Sequence, residues 1–440
     1  MRSLDRDTNN LPAKQCAIYQ PGWRPAILNK DKNASKWKYH RDSPHTFEMP
    51  MRKRRIIVMG FMGSCPIAGV IWQHLHYIVG LQRLGHQVYY VEDTARHPYN
   101  PINFDTSENC TYAVEILREL AELFDFRDRW AYSARFLHPA QSFGLHLPRL
   151  RELYCEADAI LNVCGAHELH EDLLKCERLI YVESDPGVEQ INVDQGKDGT
   201  RRYLERHQAL FTFGENIGSS SFPVPLHDFP WLPTRQPVVT DFWRTEVAPA
   251  KDAVFTTIAN WSTRGKKDIT WNGEMYLWSK SENFLRFIDA PRLAGETFEI
   301  ATDIRETSVA EEFLGRGWRL ENPHMLSTDR ELYRSYIQES YGEFTVAKDQ
   351  YNKLNTGWFS DRSACYLAAG RPVITQETGF TRHYGGDKGL LAFSDLDGVR
   401  EAVAAIRADY ATHSQAAYEI AREFFEAEKV LDSLLERAGV

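Results

Sequence analysis

Arg55-Ile56-Ile57-Val58-Met59-Gly60-Phe61-Met62-Gly63-Ser64-Cys65-Pro66-Ile67-Ala68-Gly69 opens the first regular stretch of this 440-residue chain. The apolar run before Gly60 is too short for a helix and suits a strand buried on both faces. A glycine-bearing loop follows, and Ile67, Ile71, Leu75 and Ile78 then recur at helical spacing toward Gly85, which stops the helix. Gln87-Val88-Tyr89-Tyr90-Val91-Glu92 forms a second strand ending in acid. Strand, loop, helix and strand make a βαβ unit, and such units build parallel sheets that bind ligands at the carboxyl ends of their strands.

Upstream, residues 1–53 are polar and aperiodic, rich in Asn, Asp, Lys and Pro, and read as a loosely ordered arm that activity does not need. Met51-Arg52-Lys53-Arg54-Arg55 before the apolar run imitates a secretion leader and makes Met51 a candidate start, but Gly60, Gly63 and Pro66 break the run. Downstream the grammar continues with a helix near 108–124 and strands near 159–163, 179–183 and 209–213, giving a Rossmann-like domain over 54–221. Pro223, Pro225, Pro230, Pro233 and Pro237 crowd residues 222–237, which read as an interdomain linker. From 238 to 440 strands and helices alternate again, and helices over 399–407 and 416–437 close a second Rossmann-like domain. The expected class is α/β, with two such domains facing across a cleft.

A 43% hydrophobic and 26% charged composition excludes global disorder. The formal net charge of -9 gives no overall positive field, which argues against a nucleic-acid partner. No stretch of about 20 apolar residues runs uninterrupted, so no membrane span is expected. The 7 cysteines (Cys16, Cys65, Cys110, Cys155, Cys164, Cys176 and Cys365) form no Cys-x-x-Cys pair, which argues against a disulfide framework or zinc site and for the cytoplasm.

A second run carries more chemistry: Asn355-Thr356-Gly357-Trp358-Phe359-Ser360-Asp361-Arg362-Ser363-Ala364-Cys365-Tyr366-Leu367-Ala368-Ala369-Gly370-Arg371-Pro372-Val373-Ile374-Thr375-Gln376-Glu377-Thr378-Gly379-Phe380. A capped helix leads through Ala-Ala-Gly-Arg-Pro into a β-branched strand and a Thr-Gly loop. This arrangement resembles the nucleotide-sugar domain of GT-B glycosyltransferases, and Leu84-Gly85-His86-Gln87-Val88 resembles their first helix-to-strand turn. The resemblance implies transfer of a sugar from a nucleotide-diphosphate donor to a hydroxyl of a small molecule or glycan, with no cofactor and no metal. Two departures stand out: Cys365 occupies the position of the ribose-binding glutamate of many members, and Asn355-Thr356 precedes Gly-Trp where the plant-type signature has His. Asp361 is the nearest alternative carboxylate.

A leaving diphosphate needs cations or helix N-termini. Candidates are Ser360, Asp361, Arg362, Thr378 and Gly379, with Lys348 at a strand end and Arg264, Lys266 and Lys267 in the loop after the first strand of the second domain. On the acceptor side the loop bearing Gly63, Ser64 and Gly69 would approach substrate, and His167 or Asp185 would take the hydroxyl proton, with Glu183 in reserve. His74 and His76 lie on the first helix and read as structural. A nucleotide-sugar epimerase of the same architecture, or a non-catalytic nucleotide- or carbohydrate-binding protein, fits the same pattern.

Overall fold

The computed structural model describes residues 53–262 and 268–440. The expected N-terminal arm lies outside these residues except at its last position. The first sheet contains β1 (Arg55–Met59), β2 (Gln87–Thr94), β3 (Trp130–Ala134), β4 (Gln141–Gly144), β5 (Ala159–Val163), β6 (Leu179–Glu183), β7 (Ala209–Thr212) and β8 (Trp231–Pro233). Its order is β8-β7-β6-β5-β1-β2-β3-β4, parallel except for the last pair.

The second sheet contains β9 (Phe255–Ile258), β10 (Phe298–Ala301), β11 (Trp318–Glu321), β12 (Gly342–Thr345), β13 (Val373–Gln376) and β14 (Leu390–Phe393). It is wholly parallel, in the order β11-β10-β9-β12-β13-β14. In both sheets the order reverses beside the first strand, between β1 and β5 and between β9 and β12. Such reversals open a crevice at the strand carboxyl ends.

β1 is apolar throughout because both its faces are covered. Ile56 and Val58 pack with Ile71, Leu75 and Ile78 of α1 (Ala68–Arg83), while Ile57 and Met59 pack with Leu150, Leu153 and Tyr154. Full burial of each aliphatic side chain contributes roughly 1.5–3 kcal/mol. The second domain is centred on aromatic side chains, among them Phe255, Phe298, Trp318 and Phe344.

Two expectations about the connections need correction. Residues 222–237 are more than a linker, since Trp231–Pro233 pairs with β7 as an edge strand. An edge tolerates proline because one side of the strand needs no ladder partner. Further along the chain lie helices α2 (Arg330–Glu339), α3 (Asp361–Ala368) and α4 (Ala427–Arg437), and the last of them does not close the second domain. α4 packs on α1, and a Cβ added to Gly80 would lie 2.6 Å from Leu431 Cδ1 and 2.8 Å from Ala427 Cβ. The chain therefore crosses between the halves twice, and the crossings pair: Val238 N–H donates to the Phe425 carbonyl at 2.7 Å, and Ala427 N–H donates to the Val238 carbonyl at 2.9 Å. Beside them the Trp243 indole N–H donates to His76 Nε2 at 3.2 Å.

Gly80→Val should force α4 from α1 and lower unfolding free energy by about 1–3 kcal/mol, the usual cost of overpacking. Urea unfolding measures this; a variant as stable as the parent would show that the two helices are not in close contact.

Candidate functional site

The first-domain side of the crevice is built around Glu92, buried at the end of β2. Its carboxylate accepts from the N–H of Gly63 (2.5 Å), the N–H and hydroxyl of Ser64 (2.8 and 2.5 Å) and the Tyr90 hydroxyl (2.7 Å). Burial raises the carboxyl above its ordinary pKa, while these donors pull it back. The Ser64 hydroxyl is thus spent on holding the loop. Gly63 faces Leu117, whose Cδ1 would sit 2.8 Å from an added Cβ. Gly69 alone of the expected acceptor-loop residues lines the interdomain cavity.

His167 does not have the surroundings of a general base. Its Nε2 lies 2.7 Å from the Gly60 carbonyl and Nδ1 3.2 Å from that of Asp93, so backbone oxygen fills both directions in which the ring could take a proton. Burial also lowers its pKa. Glu183 is likewise occupied, by the Thr212 hydroxyl at 2.5 Å and the Gln190 amide at 3.1 Å. His74 Nδ1 donates to the Val70 carbonyl at 2.8 Å within its own helix.

In the second domain Arg362 is a structural ion-pair member. Nε donates to Glu343 at 2.7 Å, Nη1 to the Ile258 carbonyl at 2.6 Å and Nη2 to the Thr345 hydroxyl at 2.9 Å, tying α3 to β9 and β12. Glu343 is fully buried. The Thr378 hydroxyl donates to the Trp358 carbonyl at 2.5 Å, and the Thr378 carbonyl accepts from Gly357 N–H at 2.7 Å. Gly379, at φ +94°, takes a conformation that disfavours side chains, and an added Cβ would lie 2.2 Å from Asn216 Nδ2 of the first domain. The Thr378-Gly379 loop is therefore packed between elements. Arg264 and Lys266 lie outside the described residues.

Ser360 is the N-cap of α3 and makes no side-chain cap bond. Asp361 follows it, its carboxylate held by the first N–H groups of the helix and its pKa raised by burial. Together with Gly69, Trp72, Gln73, Tyr333 and Cys365 it lines a narrow interdomain cavity of about 10 Å³, close to the space one water needs.

The cations meet on the second-domain side of this crevice. Lys348, three residues beyond β12, lies with Nζ 2.5 Å from Asp185 Oδ1 of the first domain and 4.0 Å over the Trp278 ring. The Tyr351 hydroxyl donates to the same carboxylate oxygen. Lys280 was not marked by its sequence. It is 9% exposed and makes no hydrogen bond or ion pair among the described residues; its Nζ lies 5.8 Å from the centroid of the Trp358 ring. Burial, then the charges of Arg362 and Lys348, push its pKa well below the ordinary value. The carboxylates of Glu343 and Asp361 oppose this shift without pairing directly with the ammonium among the described residues, and a buried cation of this kind is a binding-site candidate. Asp185 and Lys348 are thus brought together across the crevice, with Lys280 and Asp361 on the same side as Lys348.

No family model matches the sequence, and no curated protein matches it. Among solved structures the chain is similar to AviGT4, a glycosyltransferase involved in avilamycin A biosynthesis, with TM-score 0.50 and 11% identity over 88% of this chain and 97% of that one. It is also similar to an α-glucosyltransferase in complex with UDP and a 13-mer DNA containing an HMU base, with TM-score 0.52 and 13% identity over 89% and 100% of the two chains. The chain has the two-domain GT-B fold. Among the described residues no helix is long and apolar enough to cross a membrane.

Lys280→Met should weaken inorganic pyrophosphate binding about 10- to 100-fold, the worth of one charge-assisted hydrogen bond. It should also unfold at a higher temperature near neutrality. The unfolded chain holds the Lys280 proton more tightly than the native state does, so this penalty is present at low pH and shrinks as pH rises toward 10.5, and with it the variant's advantage. A variant that is less stable near neutrality, with unchanged pyrophosphate affinity, would make Lys280 a structural residue.

Proposed function

We propose that this protein is a glycosyltransferase that moves a sugar from a nucleotide-diphosphate donor to an acceptor hydroxyl. The observation that carries this reading is the pair Lys280 and Lys348 at the reversal point of the second sheet, one buried with no direct ion pair among the described residues and the other poised across the crevice. A diphosphate is the ligand that two such ammonium groups suit, and their charge balances the leaving group without calling on a metal. Asp361 supplies a carboxylate for a ribose or sugar hydroxyl at the mouth of the same crevice. Asp185 is the base available from the first domain. In attack from the face opposite the diphosphate, the acceptor oxygen bonds to the anomeric carbon, the carbon–phosphate-oxygen bond breaks, the acceptor proton passes to Asp185, and the nucleoside diphosphate leaves on the two lysines.

The acceptor is a sugar, a small molecule or a nucleic acid. The net charge of -9 does not exclude the last, because a neighbour of this fold has been solved with a DNA 13-mer.

A panel of nucleoside diphosphates should include one that raises the melting temperature, since a ligand of the native state alone stabilises it. The matching nucleotide sugar should then be consumed in excess chelator, with Lys348→Met lowering kcat/KM by about 100-fold or more. Failure of every nucleoside diphosphate to stabilise the protein would overturn the reading.

A further inference from the structure

The contacts on Asp185 do more than place a base. Three side chains from residues 348–358 of the second domain converge on the dipeptide Ser184-Asp185 of the first. Lys348 Nζ lies 2.5 Å from Asp185 Oδ1, the Tyr351 hydroxyl donates to that oxygen, and the Trp358 indole N–H donates to the Ser184 carbonyl at 3.0 Å. Tyr351 and Trp358 stack with ring centroids 4.1 Å apart, so two of these arms move as one unit. Behind them Leu354 lies 3.0 Å from where a Cβ of Gly187 would stand. A carboxylate occupies the ammonium that the donor diphosphate needs, and the same ammonium masks the carboxylate that the acceptor needs.

We propose that Asp185 is an internal competitor for the donor site. It holds the two domains together through Lys348 and Tyr351 until a diphosphate takes over Lys348, and that exchange releases Asp185 to face the acceptor hydroxyl. This inference rests on the donor reading above and adds an order to it: donor binds first, and the base is uncovered only then. Each oxygen of a phosphate can replace a carboxylate oxygen on an ammonium with little change of geometry, so the exchange needs only a rotation of the 184–187 segment away from 348–358. Because the carboxylate and the diphosphate compete for one cation, each weakens the other by the same factor.

The test uses the full chain, with inorganic pyrophosphate and the nucleoside diphosphates as probes, titrated calorimetrically against the parent, Asp185→Asn and Tyr351→Phe. Removing the competing charge should tighten binding by about 5- to 150-fold in Asp185→Asn, and Tyr351→Phe should shift it in the same direction by less. In ligand-free solution scattering Asp185→Asn should have the larger radius of gyration. For turnover, the asparagine variant should lower both the donor KM and kcat, a split that a merely structural residue does not produce. Binding to the parent with equal or weaker affinity in both variants overturns the internal competitor while leaving the donor site standing. No binding to any of the three proteins overturns the donor site and the competitor together.

Discussion

The chain crosses between its two sheets twice, and the crossings hydrogen-bond to each other through Val238 with Phe425 and Ala427. That pairing ties the two crossings to each other, and the second of them returns α4 onto α1 of the first domain. The reversal of strand order in each sheet opens the crevice at the strand ends, and the contacts across it join Ser184-Asp185, in the loop after β6, to Lys348, Tyr351 and Trp358 beyond β12.

Within it, charge is divided between fixing the scaffold and leaving groups for ligand. Glu92 and the Arg362–Glu343 pair spend all their hydrogen bonds internally, shaping the Gly60 loop and anchoring α3. Breaking such buried pairs costs far more than they contribute, so they act as fasteners. Lys280 is the opposite case, a buried charge with no direct ion pair among the described residues. The contrast separates the two sets of charged residues more cleanly than their positions in the chain do.

Much of the fold is legible in the sequence because its signals are local. β1 is apolar on both faces, α1 has its periodicity and stop at Gly85, and Ala369-Gly370-Arg371-Pro372 marks a helix end and strand start. The edge strand Trp231–Pro233 is hidden because proline normally argues against a strand, and only the position at a sheet edge makes it harmless. α4 looks like an ordinary closing helix, since nothing in its own pattern says which domain it covers. The site is less legible. Motif position places His167 and Thr378 beyond strands and Arg362 at a helix start, but not their partners, and it is the Gly60 and Asp93 carbonyls, Glu343 and the Trp358 backbone that occupy them. Lys280, in Trp278-Ser279-Lys280-Ser281-Glu282, reads as a surface residue; its burial beside Trp358 arises from chain eighty residues away in the sequence order and has no local trace.

In the proposed donor complex a diphosphate is held between Lys280 and Lys348 in place of Asp185. A crystal structure with the stabilising nucleoside diphosphate tests it most directly. Phosphate oxygens should lie within hydrogen-bond distance of both Nζ atoms, with Asp185 withdrawn from Lys348. A diphosphate bound elsewhere, with the 2.5 Å pair of Lys348 and Asp185 intact, would contradict it.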